Sequence, residues 1–271
     1  VHFHLGVDIG GETSFADIRA KHDAILVATG VYKARDIAAP GSGLDGIFPA
    51  LEYLTVSNRK SLGDDVAAFD SGALNAEGKD VVVIGGGDTA MDCVRTAIRQ
   101  KAKSVSCLYR RDRANMPGSQ REVQNAEEEG VVFKWLSAPQ AFLGDEKVRA
   151  VQAQRIHLGQ PDATGRQVPE VIDGSAHELP ADMVIKALGF DPEDLPAMFG
   201  QDGLQVTRWG TLKIDWRTMM TNLDGVFAAG DIVRGASLVV WGVRDGRDAA
   251  EAIDQWIMAA ADAPRAAGAG R

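Results

Sequence analysis

Buried strands are predicted wherever a short apolar run ends in a small residue and a glycine. Three runs have this form, namely AILVATG at 24–30, VIKALG at 184–189 and GVFAAGD at 225–231. Continuous apolar runs of this kind are typical of parallel strands that are covered on both faces. Three such strands ending at glycine-lined crevices predict an α/β protein with two nucleotide-binding sheets rather than one.

A strand, a glycine turn and a helix follow one another from residue 80. VVVIG at 81–85 predicts a buried strand, and SVSCLY at 104–109 predicts a second one. The segment between them, 88–102, has helical spacing. Its apolar face is formed by Ala90, Val94, Ala97 and Ile98.

The second half of the chain adds further strands and a long helix. Strands are predicted within 148–158 and 177–190, on either side of a polar insert at 162–176. A long helix is predicted over 238–260. The Ala/Gly-rich end, 263–271, is expected to be a disordered tail. The chain opens without Met on what reads as the edge of a strand, which favours a piece of a longer protein.

Charge and cysteine content exclude several classes of function. A net charge of -9 argues against nucleic acid as a partner, because phosphate binding requires a basic face. No apolar run approaches the roughly 18 residues of a membrane span. The two cysteines, Cys93 and Cys107, are too few for an iron–sulfur cluster and fit a reducing cytoplasm, and both are expected to be small buried residues.

The glycine turn matches a dinucleotide-binding pattern. Gly85, Gly87 and Ala90 fit G-x-G-x-x-G/A, between a predicted strand and a predicted helix. Gly85 allows a sharp turn, Gly87 allows a pyrophosphate to approach the backbone, and Ala90 allows the helix to pack closely on the strand. The phosphates would then lie on free amides at the helix N-terminus.

The residues after the second strand favour NADPH over NADH. Arg110 and Arg111 follow this strand, where an acidic residue would instead accept hydrogen bonds from the ribose hydroxyls of NADH. Adjacent guanidinium groups suit a dianionic 2′-phosphate. Asp112 leaves an alternative open, since its carboxylate could accept from an adenosine ribose.

Three segments together resemble a known family. GGGDTAMDCVRTAIRQ at 85–100, YRRDRANMPGSQREVQNAEEEGV at 109–131 and TNLDGVFAAGDIVRGASLVVWGVRDGRDAAEAI at 221–253 are similar to the small (beta) subunits of NADPH-dependent glutamate synthases. The resemblance extends from about residue 14 to residue 257. It implies an NADPH:FAD oxidoreductase in which electrons pass through iron–sulfur clusters to a large (alpha) subunit, which makes glutamate from glutamine and 2-oxoglutarate.

The implied fold contains two Rossmann-like dinucleotide-binding domains of the disulfide-reductase type. An NADPH domain at 78–190 would be inserted into an incomplete FAD domain formed by 1–77 and 191–271. The family's first FAD motif is absent from this sequence, and so are the cysteines associated with the clusters. The iron–sulfur clusters would therefore be ligated outside this chain.

The resemblance also assigns site residues. Gly85, Gly86, Gly87, Asp88, Thr89 and Ala90 match the NADPH phosphate turn, and Arg110 and Arg111 match the 2′-phosphate contacts. Gly189, which ends the KALG run, is expected to bind a cofactor at a glycine-lined crevice. FAD contacts are implied for Gly230, Asp231, Leu238, Val239 and Val240. Thr29 and Gly30, which end the first apolar run, are also expected to bind a cofactor. Trp241 is expected to lie in the core, with packing against the flavin ring as the alternative.

Two other functions stay open at the level of sequence. The chain could be the electron-input part of a related oxidoreductase, similar to ferredoxin:NADP reductase or dihydropyrimidine dehydrogenase. It could also be an NADPH-binding fragment without activity. No catalytic acid or base is expected, because in hydride transfer the cofactors carry the chemistry and the protein aligns them.

Overall fold

The computed structural model describes residues 1–161 and 167–262, with side chains up to residue 259. The chain forms two compact units, the first made of Val1–Lys33 and Phe190–Arg271 and the second of Ala34–Gly189. The expected tail at 263–271 and part of the polar insert lie outside the described residues.

In the described chain, helices and strands alternate between residues 80 and 134, and seven strands follow one another between residues 132 and 191. The helices are α1 (Phe15–Lys21), α2 (Ala50–Ser61), α3 (Ala67–Asp70), α4 (Asp88–Arg99), α5 (Gln120–Glu128), α6 (Leu195–Met198), α7 (Asp231–Arg234) and α8 (Val239–Asp262). The strands are β1 (Ile25–Val27), β2 (Lys33–Ala34), β3 (Ile47–Pro49), β4 (Asp80–Ile84), β5 (Ser104–Leu108), β6 (Val132–Lys134), β7 (Ser137–Gly144), β8 (Val148–Pro161), β9 (Gln167–Val171), β10 (His177–Pro180), β11 (Met183–Lys186), β12 (Phe190–Asp191) and β13 (Val226–Ala228).

The second unit is built on a five-stranded parallel sheet with the order β3-β11-β4-β5-β6. Successive side chains of β4 enter different cores, because side chains along a strand alternate between the two faces of a sheet. Val81 and Val83 pack with residues of α2, α4 and α5. Val82 and Ile84 pack against the antiparallel strands β7 and β8 and the strand end at Leu179. The parallel sheet is therefore covered on both faces, which explains the continuous apolar sequence of β4.

Helix α4 confirms the face predicted from its spacing. Ala90, Val94 and Ala97 are fully buried in the core, and Ile98 packs partly buried against it. The sequence pattern did not reveal β3 or β7, because both are short of uninterrupted apolar residues and contain proline. β7 gains its place through antiparallel pairing with β8.

The first domain boundary differs from the sequence expectation. Residues 34–77 were predicted to belong to the incomplete FAD domain, whereas they form part of the second unit. The physical reason is that β3 forms the edge of the parallel sheet, with Ile47 opposite Val184. Helix α2 is also fastened to α4, since the buried Tyr53 donates a hydrogen bond to Gln100 at 2.9 Å. The second boundary falls between 189 and 190, one residue from the predicted position.

The first unit contains a separate sheet. β1 and β13 pair in parallel, with Val27 opposite Ala228. Its core includes Phe15, whose ring stacks on Phe199 with centroids 4.4 Å apart. β13 and β4 thus belong to different sheets, as the sequence predicted, and the second unit is inserted between the two halves of the first.

Candidate functional site

The glycine turn begins where β4 meets its two neighbours. The Gly85 N–H donates to the carbonyl of Leu108 at 3.1 Å, so the turn stays paired with β5. Gly86 is buried under the Tyr109 ring, which would lie 2.4 Å from a Cβ atom at this position. Neither glycine can be replaced by a larger residue without displacing its neighbours.

Gly87 differs from the two glycines before it. It caps α4 with an extended backbone at φ -90° and ψ 177°, and no atom lies within 4 Å of the position of a Cβ. Its backbone therefore faces open space beside the first turn of a helix. A helix N-terminus with an open approach favours an anionic group such as a pyrophosphate. The contact with phosphate itself stays a prediction.

A cavity of about 570 Å³ opens at this edge of the sheet, within the second unit. Its walls are formed by the glycine turn, the loop after β5, the start of β7 and the segment after β11. The predicted residues that line it are Gly85, Gly86, Gly87, Thr89, Arg110, Arg111 and Gly189. Ala90 lies behind the turn and is fully buried, in agreement with close packing of α4 on the sheet.

The two arginines have different environments in this cavity. Arg110 is exposed at the wall. Arg111 is half-buried, and its Nη2 donates to the carbonyl of Gln167 in β9 at 3.3 Å. Its Nε is buried and finds no hydrogen-bond partner among the described residues. Buried polar groups are nearly always satisfied, so a guanidinium N–H without an acceptor is what an anionic ligand would complete.

The structure gives both nearby aspartates roles inside the protein. One carboxylate oxygen of Asp112 accepts hydrogen bonds from the backbone and the side-chain amide of Asn115, at 2.9 and 2.7 Å. Asp112 therefore closes its own loop, and it is not among the residues that line the cavity. Asp88, which was expected at the phosphate turn, accepts from the backbone N–H of Ser119 at 2.9 Å and also lies outside the cavity lining.

Sequence reasoning missed part of the cavity wall. Arg35, Asp36 and Ile37 line it although they precede the glycine turn by about 50 residues. Lys186 binds the Asp36 carboxylate at 2.5 Å, and this hydrogen bond keeps the pKa of Asp36 below its usual value. No motif marks residues 35–37. The available signal was the lysine of the KALG run, an ionisable residue at the end of a buried strand.

The predicted flavin contacts lie in the first unit. Thr29 and Gly30 follow β1, while Gly230 and Asp231 follow β13, and the pairing of these strands brings the two ends side by side. Gly30 and Gly230 have positive φ values of 72° and 77°. Burial raises the pKa of Asp231, and a hydrogen bond from the Ser237 backbone partly opposes that shift.

The start of α8 presents apolar side chains to the outside of the first unit. Leu238, Val239 and Val240 are 60%, 84% and 63% exposed. Trp241 was expected in the core, but it is 39% exposed, and the Arg234 guanidinium lies 5.0 Å from its ring centroid. A cation over an aromatic face holds Trp241 at the surface.

Comparison with known proteins identifies the class. Residues 10–263 match the family described as pyridine nucleotide-disulphide oxidoreductase, and the chain belongs to this family. FprA from Mycobacterium tuberculosis, in a His57Gln mutant structure, has a similar fold, with a TM-score of 0.76 and 18% identity. The alignment covers 94% of this chain and 68% of that one.

Two longer proteins are similar in sequence. The glutamate synthase (NADPH) small chain of Azospirillum brasilense is 66% identical over 269 residues, which are 99% of this chain and 56% of that protein. The protein of the same description from Halomonas elongata is 44% identical, over 93% of this chain and 54% of its own length. The chain therefore spans about half the length of the curated relatives it matches.

Proposed function

We propose that the cavity of the second unit binds NADPH, with the adenosine 2′-phosphate at Arg111. The observation that carries this proposal is the buried Nε of Arg111, which has no acceptor among the described residues and belongs to the cavity lining. Gly87 supports it, because its backbone offers open space at the N-terminus of α4 for the pyrophosphate. Arg110 adds a second positive charge at the wall.

We further propose that the chain is the electron-input part of a glutamate synthase small subunit. The identity of 66% to the Azospirillum protein supports this assignment. When both cofactors are bound, NADPH supplies a hydride and FAD accepts it. The work of the protein is to hold the two cofactors and exclude water, so no catalytic acid or base is required.

The first unit contributes part of the proposed FAD site. Asp231 offers a partly buried carboxylate, which is an acceptor for a flavin hydroxyl group. The apolar and exposed Leu238 and Val239 come soon after Asp231 in the sequence and would cover the flat flavin ring. These residues fit one half of FAD. The strand, turn and helix for the ADP half are not in this sequence, so the longer protein would supply them.

The proposed partners follow from the same assignment. The large subunit would receive the electrons through iron–sulfur clusters held outside this chain. Cys93 and Cys107, the two cysteines of the sequence, are both fully buried free thiols in the core of the second unit. Reduced cysteines fit the cytoplasm, where we place the protein. In the described part of the chain, no helix combines the length and apolar character needed to cross a membrane.

A calorimetric titration tests the NADPH site. Replacing both Arg110 and Arg111 with Ala is expected to weaken the binding of NADPH far more than the binding of NADH, because only NADPH has the 2′-phosphate. The matched control is Arg113→Ala, since Arg113 lies in the same loop but binds Glu127 at 2.9 Å and does not line the cavity. Equal weakening of both coenzymes by the double variant would refute the assignment.

A second experiment tests the flavin site and the acceptor. In the longer protein, Asp231→Ala is expected to lower FAD retention and to leave NADPH affinity nearly unchanged. With the large subunit present, NADPH oxidation should depend on glutamine and 2-oxoglutarate. Turnover supported by ferredoxin instead would favour a related oxidoreductase, and a protein that never retains flavin would contradict the proposal.

A further inference from the structure

The segment from Met116 to Ser119 is a conspicuous part of the sequence resemblance, and the proposed cofactor contacts leave it without a role. It follows the arginine loop and leads into α5. Met116 is only 6% exposed and packs in the same core as α4. Pro117 lines the cavity. The segment is therefore anchored on one side and forms a wall of the site on the other.

Two backbone hydrogen bonds fasten this segment to the glycine turn. The N–H of Gly118 donates to the carbonyl of Gly86 at 2.9 Å. The N–H of Ser119 donates to a carboxylate oxygen of Asp88 at 2.9 Å. The approach is close, since a Cβ atom at Gly118 would lie 3.1 Å from the Gly86 carbonyl oxygen.

The loop between the arginines and Gly118 is also held from inside. The Tyr109 hydroxyl donates to the carbonyl of Asn115 at 3.0 Å. The Tyr109 ring covers Gly86, so the start of the loop and the glycine turn share one packed contact. Fixing the loop at Ser119 therefore restricts where Arg110 and Arg111 can lie at its other end.

We propose that Asp88 is a positioning residue. Its hydrogen bond with the Ser119 N–H, called the Asp88–Ser119 clasp below, holds the loop of residues 110–119 against the glycine turn. The clasp thereby keeps the arginines and Pro117 in place for the coenzyme. This role rests on the proposed NADPH function. It differs from a direct phosphate contact, because a carboxylate repels phosphate and this one is already engaged by Ser119. Because the loop is already ordered, binding of the coenzyme does not pay the entropy cost of ordering the loop, and the affinity is higher.

Asparagine and alanine at position 88 separate the hydrogen bond from the charge. Asp88→Asn keeps an oxygen acceptor and loses the charge, and it is expected to bind NADPH as tightly as the parent protein or more tightly. Asp88→Ala loses both and should weaken NADPH by about fivefold, the factor that corresponds to one hydrogen bond. The matched control is Asp92→Ala, because Asp92 lies one turn further along α4 and outside the cavity lining.

A second variant removes the donor instead of the acceptor. Ser119 has φ -56°, which a proline ring adopts, so Ser119→Pro deletes the N–H. It should weaken NADPH binding at least as much as Asp88→Ala, because the hydrogen bond is lost while the carboxylate charge remains, and adding Asp88→Ala to it should weaken binding no further. Equal weakening by Asn and Ala at position 88 would overturn the proposal, and so would an Asp88→Ala protein that binds like the parent.

Hydrogen exchange of the coenzyme-free protein tests the Asp88–Ser119 clasp independently of the proposed function. The Ser119 amide should be protected in the parent protein and in Asp88→Asn, and it should exchange faster in Asp88→Ala. If the parent protein binds no NADPH while this pattern holds, the proposed function fails and the clasp stands. If NADPH binds and all three proteins exchange alike, the clasp is refuted.

Discussion

The carbonyl oxygen of Ala187 occupies the space that a side chain at Gly85 would need. A Cβ atom on Gly85 would lie 2.1 Å from this oxygen, and Gly85 itself has φ 148°. The contact exists because β4 and β11 remain paired past their ends, with the Ala187 N–H donating to Ile84 at 2.8 Å. The first glycine of the turn is therefore required by the sheet, whether or not a coenzyme binds.

The first and third glycines of the turn should respond differently to the same substitution. Gly85→Ala is expected to lower the free energy of unfolding by about 2–4 kcal/mol, through backbone strain and overpacking. Gly87→Ala should cost less than about 1 kcal/mol at this capping position. It should nevertheless weaken NADPH about tenfold or more, because a methyl group would fill the space left for phosphate. Urea unfolding and calorimetry measure the two effects, and similar stability losses in both variants would contradict this division.

The two arginines should contribute unequally to coenzyme affinity. Arg111→Ala is expected to weaken NADPH by about 10–100-fold, as for the loss of a hydrogen bond to a charged group, and Arg110→Ala by less, because Arg110 is exposed. Arg111→Lys should restore little, since an ammonium group cannot replace the planar fork of N–H donors. Titrations with NADPH give the dissociation constants. Full affinity in the lysine variant would show that Arg111 acts only as a charge.

The Gln100 side chain should stabilise the second unit more than its size suggests. Its Oε1 accepts from the Tyr53 hydroxyl at 2.9 Å and from the Ala76 N–H at 2.8 Å. Gln100→Ala leaves both donors without this acceptor and should lower the free energy of unfolding by about 2–4 kcal/mol. Tyr53→Phe removes one donor and leaves the other bond, so it should cost about 1 kcal/mol.

Chemical unfolding checks this order. Ser57→Ala is the control. Ser57 accepts a hydrogen bond from the Gln100 Nε2, so its loss leaves both hydrogen bonds to the Gln100 Oε1 in place. A Gln100→Ala protein as stable as Tyr53→Phe would mean that residues 34–77 are attached to α4 mainly by apolar packing.

A buried ion pair should set the acid sensitivity of the first unit. Asp245 is 1% exposed, and Arg234 binds both of its oxygens at 2.6 Å, which lowers the pKa of Asp245. A lowered folded-state pKa means that this stabilisation is complete above the unfolded value of about 3.9 and is lost as the pH falls through the folded value. Arg234→Met would leave the carboxylate buried without its partner, at a cost of about 3–5 kcal/mol near neutral pH.

Unfolding at several pH values tests the sign of this effect. The difference between Arg234→Met and the parent protein should shrink as the pH falls below the unfolded value of about 3.9 and toward the lowered folded-state pKa of Asp245. Arg217→Met is the control, because Arg217 is 90% exposed beside Asp215 and should matter by less than about 0.5 kcal/mol. The Arg234 guanidinium also lies 4.7 Å from the Trp216 ring centroid and 5.0 Å from that of Trp241. A difference that does not change with pH would assign the loss of stability to these two ring contacts.

Several features could be read from sequence because they depend on neighbours along the chain. The run from Val81 to Ala90 has the length, apolar character and glycine spacing of a strand, a turn and a helix, and the structure has β4 and α4 there. The apolar face of α4 follows from its period of 3.6 residues. The separation of β4 and β13 into two sheets was indicated by the repeated glycine endings.

Other features depended on residues that are distant in sequence. Arg35 reaches the cavity, and β3 joins the sheet beside β11, only because the chain returns to the same edge after many residues. Asp88 and Asp112 look like coenzyme contacts in the sequence. In the structure, their carboxylates instead accept hydrogen bonds from the backbone N–H groups of Ser119 and Asn115, in the loop of residues 110–119.

The sequence alone determined the class of fold, the glycine turn between β4 and α4 and the positive charge beside it, because local spacing decides which residues form a strand, a turn or a helix. The tertiary structure decided where the first boundary lies, which arginine has a buried Nε, and which aspartates accept hydrogen bonds from the loop of residues 110–119. These depend on long-range strand pairing and on the burial of individual polar atoms, and neither quantity can be read from the order of residues along the chain.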